Sequence, residues 1–122
     1  MKNTENKRKE KVVDASGRTL GRVASEAAMS LMGKTQTSFE RNVYCGLPVK
    51  VINAGKLRIT SKKLAEIYHT RYSGIPGGLR VIKGTETAAK EGMKELILLA
   101  TTQMLPGNKL RREMLKHLKI EE

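Results

Sequence analysis

From Leu20 to Met32 the apolar residues Leu20, Val23, Ala24, Ala27, Ala28, Leu31 and Met32 recur at i, i+3, i+4, i+7, i+8, i+11 and i+12. That spacing draws one continuous face on an α-helix. Arg22, Ser25, Glu26 and Ser30 fall away from it. The many alanines let such a helix pack closely on a sheet. Gly33 follows the last apolar residue, where a left-handed residue ends a helix. Ahead of the helix, Val12-Val13 reads as a short strand and Asp14-Ala15-Ser16-Gly17-Arg18-Thr19 as a turn. This strand–turn–helix order commits the chain to layered α/β architecture. It also leaves backbone N–H groups unpaired at the helix start, where an anion can sit. Arg18 and Arg22 add positive charge at that place, so the geometry suits phosphate.

Composition bears on whether that phosphate belongs to a nucleotide or to a nucleic-acid backbone. There are 24 Lys+Arg against 12 Asp+Glu, a net charge of +12 on 122 residues. Such a balance is a footprint for polyanions and is rare in a small metabolite enzyme. The length predicts one domain with a modest core, here residues 12–122. Phe39, Tyr44, Tyr68 and Tyr72 are the only aromatic residues, so the core must be aliphatic. Cys45 is the only cysteine, which excludes an internal disulfide and a cysteine-based zinc site and fits a reducing cytosol. Residues 1–11 carry five basic side chains and no apolar h-region. They read as a flexible arm, RNA-docking or merely solubilising, and not as a secretory signal. The longest apolar run, Leu96-Ile97-Leu98-Leu99-Ala100, is far short of a membrane span.

Further along, residues 34–48 are polar and irregular, Val49–Ile52 is a short strand, and Leu57-Arg58-Ile59 is a second extended piece. Thr60 or Ser61 caps a short helix through Ile67, with Lys62 and Lys63 in its first turn. Positive charge there opposes the helix dipole, which points either to an external anion or to an ordinary solvated turn. Tyr68 to Arg71 is a further strand candidate, and Gly74-Ile75-Pro76-Gly77-Gly78 is a loop. Helices are predicted over Glu86–Glu91, around Met93–Met104, and from an Asn108 cap to Leu118, with Lys119-Ile120 as a terminal strand. Strands alternating with helices favour a mainly parallel sheet with helices on both faces.

The catalytic signatures in this chain are weak. Gly33-Lys34-Thr35 imitates the end of a P-loop, yet Ala28 stands where that motif needs its first glycine. Gly17 and Gly21 lack the spacing of a dinucleotide fold. Asp14 can be a catalytic carboxylate at a strand end or an acceptor for its own turn, and the turn role is favoured. His69 and His117 have no ligand pattern around them, so neither a metal nor a cofactor is expected. Around the glycine loop, by contrast, His69, Arg71 and Arg80 can contact phosphate while Tyr68 and Tyr72 can stack on an unpaired base. The bland alternative is a surface turn with its tyrosines packed inward. Lys109, Arg112, Lys116 and Lys119 form one basic stripe on the last predicted helix, beside apolar Leu110, Met114 and Leu118.

Taken together, these motifs resemble a known family. Val12 to Arg22 followed by Gly33-Lys34 resembles the opening of the universal large-subunit ribosomal protein thirteen family. Val51-Ile52-Asn53-Ala54-Gly55-Lys56 and Thr60-Ser61-Lys62-Lys63 are similar to its central segment. Tyr72-Ser73-Gly74-Ile75-Pro76-Gly77-Gly78-Leu79 is similar to its glycine loop, and Met104-Leu105-Pro106 with Leu110-Arg111-Arg112 to its late motif. The resemblance runs in family order over residues 12–120 and looks bacterial or organellar. It implies a three-layer α/β/α fold with a four-stranded mainly parallel sheet. It implies no enzymatic activity, but a structural role in the large subunit, binding 23S-type RNA beside neighbouring ribosomal proteins and acting early in assembly. Arg18, Lys34, Lys56, Lys62, Lys63, Gly77, Gly78 and Arg112 would then lie at RNA. The sequence departs from the family at Lys11, where an aromatic residue is usual, at Tyr44-Cys45-Gly46-Leu47, at Glu40-Arg41-Asn42 and at Arg111. Two alternatives stay open, an RNA-binding translational regulator acting outside the ribosome and a small nucleotide-binding enzyme.

Overall fold

The structure, a computed structural model, describes residues 9–122. The arm expected over residues 1–11 therefore lies mostly outside the described residues, and Lys11 already belongs to the first strand. In chain order the elements are β1 Lys11–Asp14, α1 Leu20–Met32, β2 Val49–Ile52, a 3₁₀ turn Ala54–Lys56 and α2 Ser61–Glu66. After these come β3 Tyr68–Tyr72, β4 Leu79–Lys83, α3 Gly84–Glu91, α4 Met93–Met104, α5 Leu110–Lys116 and β5 Leu118–Ile120. Strands β1, β2 and β5 form a parallel sheet in the order β1-β2-β5, with Val13 opposite Val51 and Val49 opposite Leu118. Strands β3 and β4 form a separate antiparallel hairpin.

The apolar periodicity of α1 is realised as a packed face. Val23, Ala24, Ala27, Ala28 and Leu31 are buried, and Gly33 closes the helix at φ 83°, donating its N–H to the carbonyls of Met29 and Ser30. This face meets Val13, Val49 and Val51, which project to one side of the sheet because strand side chains alternate. Ile97 of α4 and Met114 of α5 complete the core. Thr101 is fully buried in α4, and its hydroxyl is satisfied by donating to the Ile97 carbonyl at 2.8 Å. The irregular 34–48 segment is fastened back onto α1. Leu47 donates its N–H to the Ser30 carbonyl, and the Tyr44 ring stacks on His117 with centroids 5.2 Å apart.

Three expectations are corrected. The parallel sheet has three strands, not four. Leu57-Arg58-Ile59 makes only a single parallel bridge, between Arg58 and Thr19. Tyr68–Tyr72 pairs instead with Leu79–Lys83, a strand not anticipated from sequence. The cause is local. Gly74 at φ 84° and Gly77 at φ 81° turn the chain back on itself, whereas joining the parallel sheet needs a long crossover. Second, the buried side chains lie on one face of the sheet. On the opposite face Val12 is 52% exposed, and Lys50 forms an ion pair with Glu121 at 2.9 Å. Among the described residues the arrangement is thus helices over one sheet face, not a third layer. Third, α5 starts at Leu110 after Lys109, with no Asn108 cap, and stops at Lys116, so Lys119 belongs to β5 and leaves the predicted stripe.

Gly46 is buried where a Cβ would collide with the Leu31 carbonyl oxygen, while nothing lies near a Cβ at Gly21 in the first turn of α1. Gly46→Ala is therefore expected to destabilise the protein by about 1–3 kcal/mol through overpacking. Gly21→Ala is expected to stabilise it by about 0.5–1 kcal/mol through helix propensity. Thermal melts of the two variants check both signs, and a wild-type melt for Gly46→Ala would refute the docking of residues 34–48 on α1.

Candidate nucleic-acid interface

The carboxyl ends of β1 and β2 lie side by side, and the turns leaving them are stitched together by backbone hydrogen bonds. Ala15 donates to Ile52 at 3.0 Å, Gly17 to Lys56 at 3.0 Å, and Arg58 to Arg18 at 2.9 Å. Gly17 at φ 68° and Asn53 at φ 57° supply the left-handed backbone these turns need. Asp14 Oδ1 accepts from the Ser16 N–H at 2.9 Å and from Asn53 Nδ2 at 3.1 Å. The Ser16 N–H and then Asn53 hold this carboxyl below its ordinary range, with the charges of Lys56 and Arg18 adding in the same direction. Asp14 is a turn organiser, as its position favoured.

Around this junction the fold gathers Arg18, Arg22 and Lys56, together with Arg58, which the sequence reading missed. The first turn of α1 contains no acidic residue, and Thr19 makes no side-chain cap, so its N–H groups add to the positive field. In parallel sheets, ligands bind outside the carboxyl ends of the strands. Besides Asp14, a second acid lies nearby. Arg18 Nη1 is 2.6 Å from Glu26 Oε2, and Lys11 Nζ is 3.7 Å from Glu26 Oε1. Arg22 shares a shallow groove along α1 with Lys11, Arg18 and Met29. Lys62 and Lys63 follow on α2, both exposed, where Thr60 Oγ1 accepts the Lys63 N–H at 3.2 Å as expected of a cap.

The hairpin forms a second group. Arg71 and Arg80 are directly opposed across the two strands, a like-charge pair that is unfavourable unless an anion lies between. They line a cleft of about 560 Å³ together with His69, Glu86, Glu91 and Glu95, so acids of α3 and α4 face them. Tyr68 and Tyr72 are each 65% exposed, which disposes of the inward-packing alternative. Gly77 has a left-handed backbone and open surroundings. At Gly78 a Cβ would meet Ser73 Oγ, so its own loop explains that glycine.

A third group sits at the far end of α1, about 20 Å from Arg18 by the helix rise. Lys34 borders an apolar groove with Phe39, Pro106, Asn108 and Leu110. Lys109 and Arg112 are exposed close by in sequence, Arg111 is half-buried, and Lys116 pairs with Glu113 at 3.2 Å. The predicted residues thus form three patches and not one site. Arg58 escaped notice because a single parallel bridge leaves no periodic signal. The alternation of buried Leu57 with exposed Arg58 was the only available hint.

Because the Asp14 carboxyl is depressed from its ordinary 3.8, its contribution is fully present above that value and is lost as pH falls through the lower folded one. Asn53→Gly keeps the left-handed backbone and deletes the side-chain donor. An NMR titration is expected to place the wild-type Asp14 midpoint below 3.8 and to move it upward in this variant. An unmoved midpoint would show that Asn53 does not hold the carboxylate.

Comparison with known proteins identifies the family. The family model described as Ribosomal protein L13 matches residues 8–121. A relative in Aquifex aeolicus named large ribosomal subunit protein uL13 is 44% identical over 120 residues, covering 98% of this chain and 83% of its own. Those of Symbiobacterium thermophilum and Moorella thermoacetica, with the same name, are 40% and 43% identical. They cover 98% and 93% of this chain, and 84% and 78% of their own lengths. A match of this extent, over a chain whose cationic turns occupy the carboxyl ends of its parallel strands, places the protein in the ribosomal protein L13 family.

Proposed function

We propose that this chain is a structural constituent of the bacterial large ribosomal subunit, binding 23S-type ribosomal RNA and supporting early subunit assembly. The observation that carries the reading is the family match across residues 8–121. Membership of a ribosomal-protein family sets the enzyme reading aside. The working location is the ribosome, in the cytoplasm, with large-subunit RNA and neighbouring ribosomal proteins as partners. Residues 12–122 act as one RNA-binding domain, and the five basic side chains of the segment before them add to its attraction for the same polyanion.

The three patches give the proposal its mechanism. Arg18, Arg22, Lys56, Lys62 and Lys63 form the first phosphate-binding surface, at the strand ends. The hairpin is the second, with His69, Arg71 and Arg80 on one face, Tyr72 on the other and Gly77 in its loop. Lys34, Lys109, Arg111, Arg112 and Lys116 form the third. Surfaces separated by about a helix length suit a folded RNA approached from several sides. The binding free energy comes mainly from cation–phosphate contacts and the counterions they release. Shape and 2′-OH contacts contribute more than base reading. Glu26 holds Arg18 and Lys11 in place until phosphate replaces it, since exposed ion pairs bind weakly.

Replacing both Arg18 and Arg22 with Ala is expected to weaken binding of a 23S transcript. The log–log salt slope should drop by up to about 0.9 per lost phosphate contact, or about 0.7 where the contacted RNA is single-stranded. Glu26→Gln is expected to act oppositely, tightening binding several-fold at low salt by releasing two cations. Filter binding across a salt series reads both. An unchanged slope in the double variant would turn this patch away from RNA. Sedimentation of a lysate is expected to carry the chain with the large subunit, whereas a wholly free pool would favour a regulator acting off the ribosome.

A further inference from the structure

The β3–β4 hairpin has two chemically different faces. Strand alternation and the observed register put Tyr68, Thr70 and Tyr72 on the same face as Lys83, Val81 and Leu79. All six are exposed, Leu79 at 61% and Val81 at 58% beside the two tyrosines. The other face carries His69 and Ile82, both half-buried, and borders the cleft with α3. The apolar part of the inner face is thus partly covered by the protein, with Arg71 and Arg80 opposite the acids of α3 and α4, whereas the outer face has no such cover. An exposed patch of two aromatic rings and two aliphatic side chains marks a binding surface.

We propose that this outer face is a stacking surface for unpaired RNA bases, with Tyr68 and Tyr72 each supporting a base. The inference rests on the RNA-binding reading above and adds to it the structural state of the RNA at this point, single-stranded and splayed. Charge selects the occupant. The outer face carries Lys83 and no acidic residue, while Arg71 and Arg80 belong to the other face. An apolar protein surface would have to cover Lys83 without neutralising it, whereas a nucleotide brings its own phosphate. Lys83 lies directly opposite Tyr68 on the same face, positioned for the phosphate of a base stacked there. The tyrosines are four residues apart on one strand, about 13 Å, too far to share a base. They suit a run of two or three bases laid across a sheet surface, each ring meeting one π-face. A duplex keeps its bases stacked on one another and offers the rings nothing equivalent.

The test uses the full chain and a 23S transcript, with affinity measured across a salt series for three double variants. Y68A/Y72A is expected to lose about tenfold or more in affinity per tyrosine with an unchanged salt slope, because stacking releases no counterions. Y68F/Y72F is expected to stay within about twofold of wild type, since the ring is retained. Y68L/Y72L, which keeps apolar area without a π-face, is expected to fall with the alanine variant. Melting curves establish that the variants fold, and the Phe and Leu pair decides the matter if the alanine variant does not. Wild-type affinity in the leucine or alanine variant overturns the proposal and leaves the patch to a protein neighbour. A slope that falls along with affinity also overturns it, by assigning the tyrosines to phosphate. Failure of the wild-type chain to bind the transcript would instead defeat the underlying RNA-binding reading.

Discussion

The rest of the structure depends on the backbone seam joining the turns after β1 and β2. Its three hydrogen bonds, Ala15 to Ile52, Gly17 to Lys56 and Arg58 to Arg18, fix where α1 begins relative to the sheet. With the start fixed, the alanine-rich face of α1 falls on Val13, Val49 and Val51. The same seam brings Arg18, Lys56 and Arg58 to one end of the sheet, although they lie some forty residues apart in the chain. Asp14 makes this crowding tolerable. It places one negative charge among the cations while accepting from both turns. Packing and electrostatics are therefore properties of one set of contacts, and a change in either disturbs both.

What was legible in the sequence was whatever local periodicity and turn chemistry encode. The span of α1, its Gly33 terminus, a cap at Thr60 or Ser61 and the irregular 34–48 segment could all be read from neighbouring residues. The pairing of Tyr68–Tyr72 could not, because partner choice depends on how the glycine loop turns, and strand chemistry alone fits either sheet. The strand Leu79–Lys83 was invisible for a related reason. Its solvent-facing Leu79 and Val81 break the apolar-in, polar-out alternation by which strands are recognised. The basic residues were easy to find and hard to group. Sequence shows that Arg18, Lys34 and Arg80 are cations, but only the fold shows that they belong to three separate surfaces.

The separation has an electrostatic logic. A net charge of +12 gathered on one face would repel itself strongly in the free protein. Spread over the strand ends, the hairpin and the far end of α1, it leaves each patch with a nearby acid, Glu26, Glu86 or Glu113. These acids moderate the field of the three patches.

The short parallel sheet also bears on the interval between synthesis and assembly. Among the described residues, both β1 and β5 have a neighbouring strand on one side only, so each is an edge of the sheet. Such rims recruit further strands and seed aggregates. Here the rims are only four and three residues long, and each carries a lysine, Lys11 on one and Lys119 on the other. A second copy approaching either rim meets a like charge before it can form two or three hydrogen bonds. A lysine on each rim thus acts as a gatekeeper against self-association.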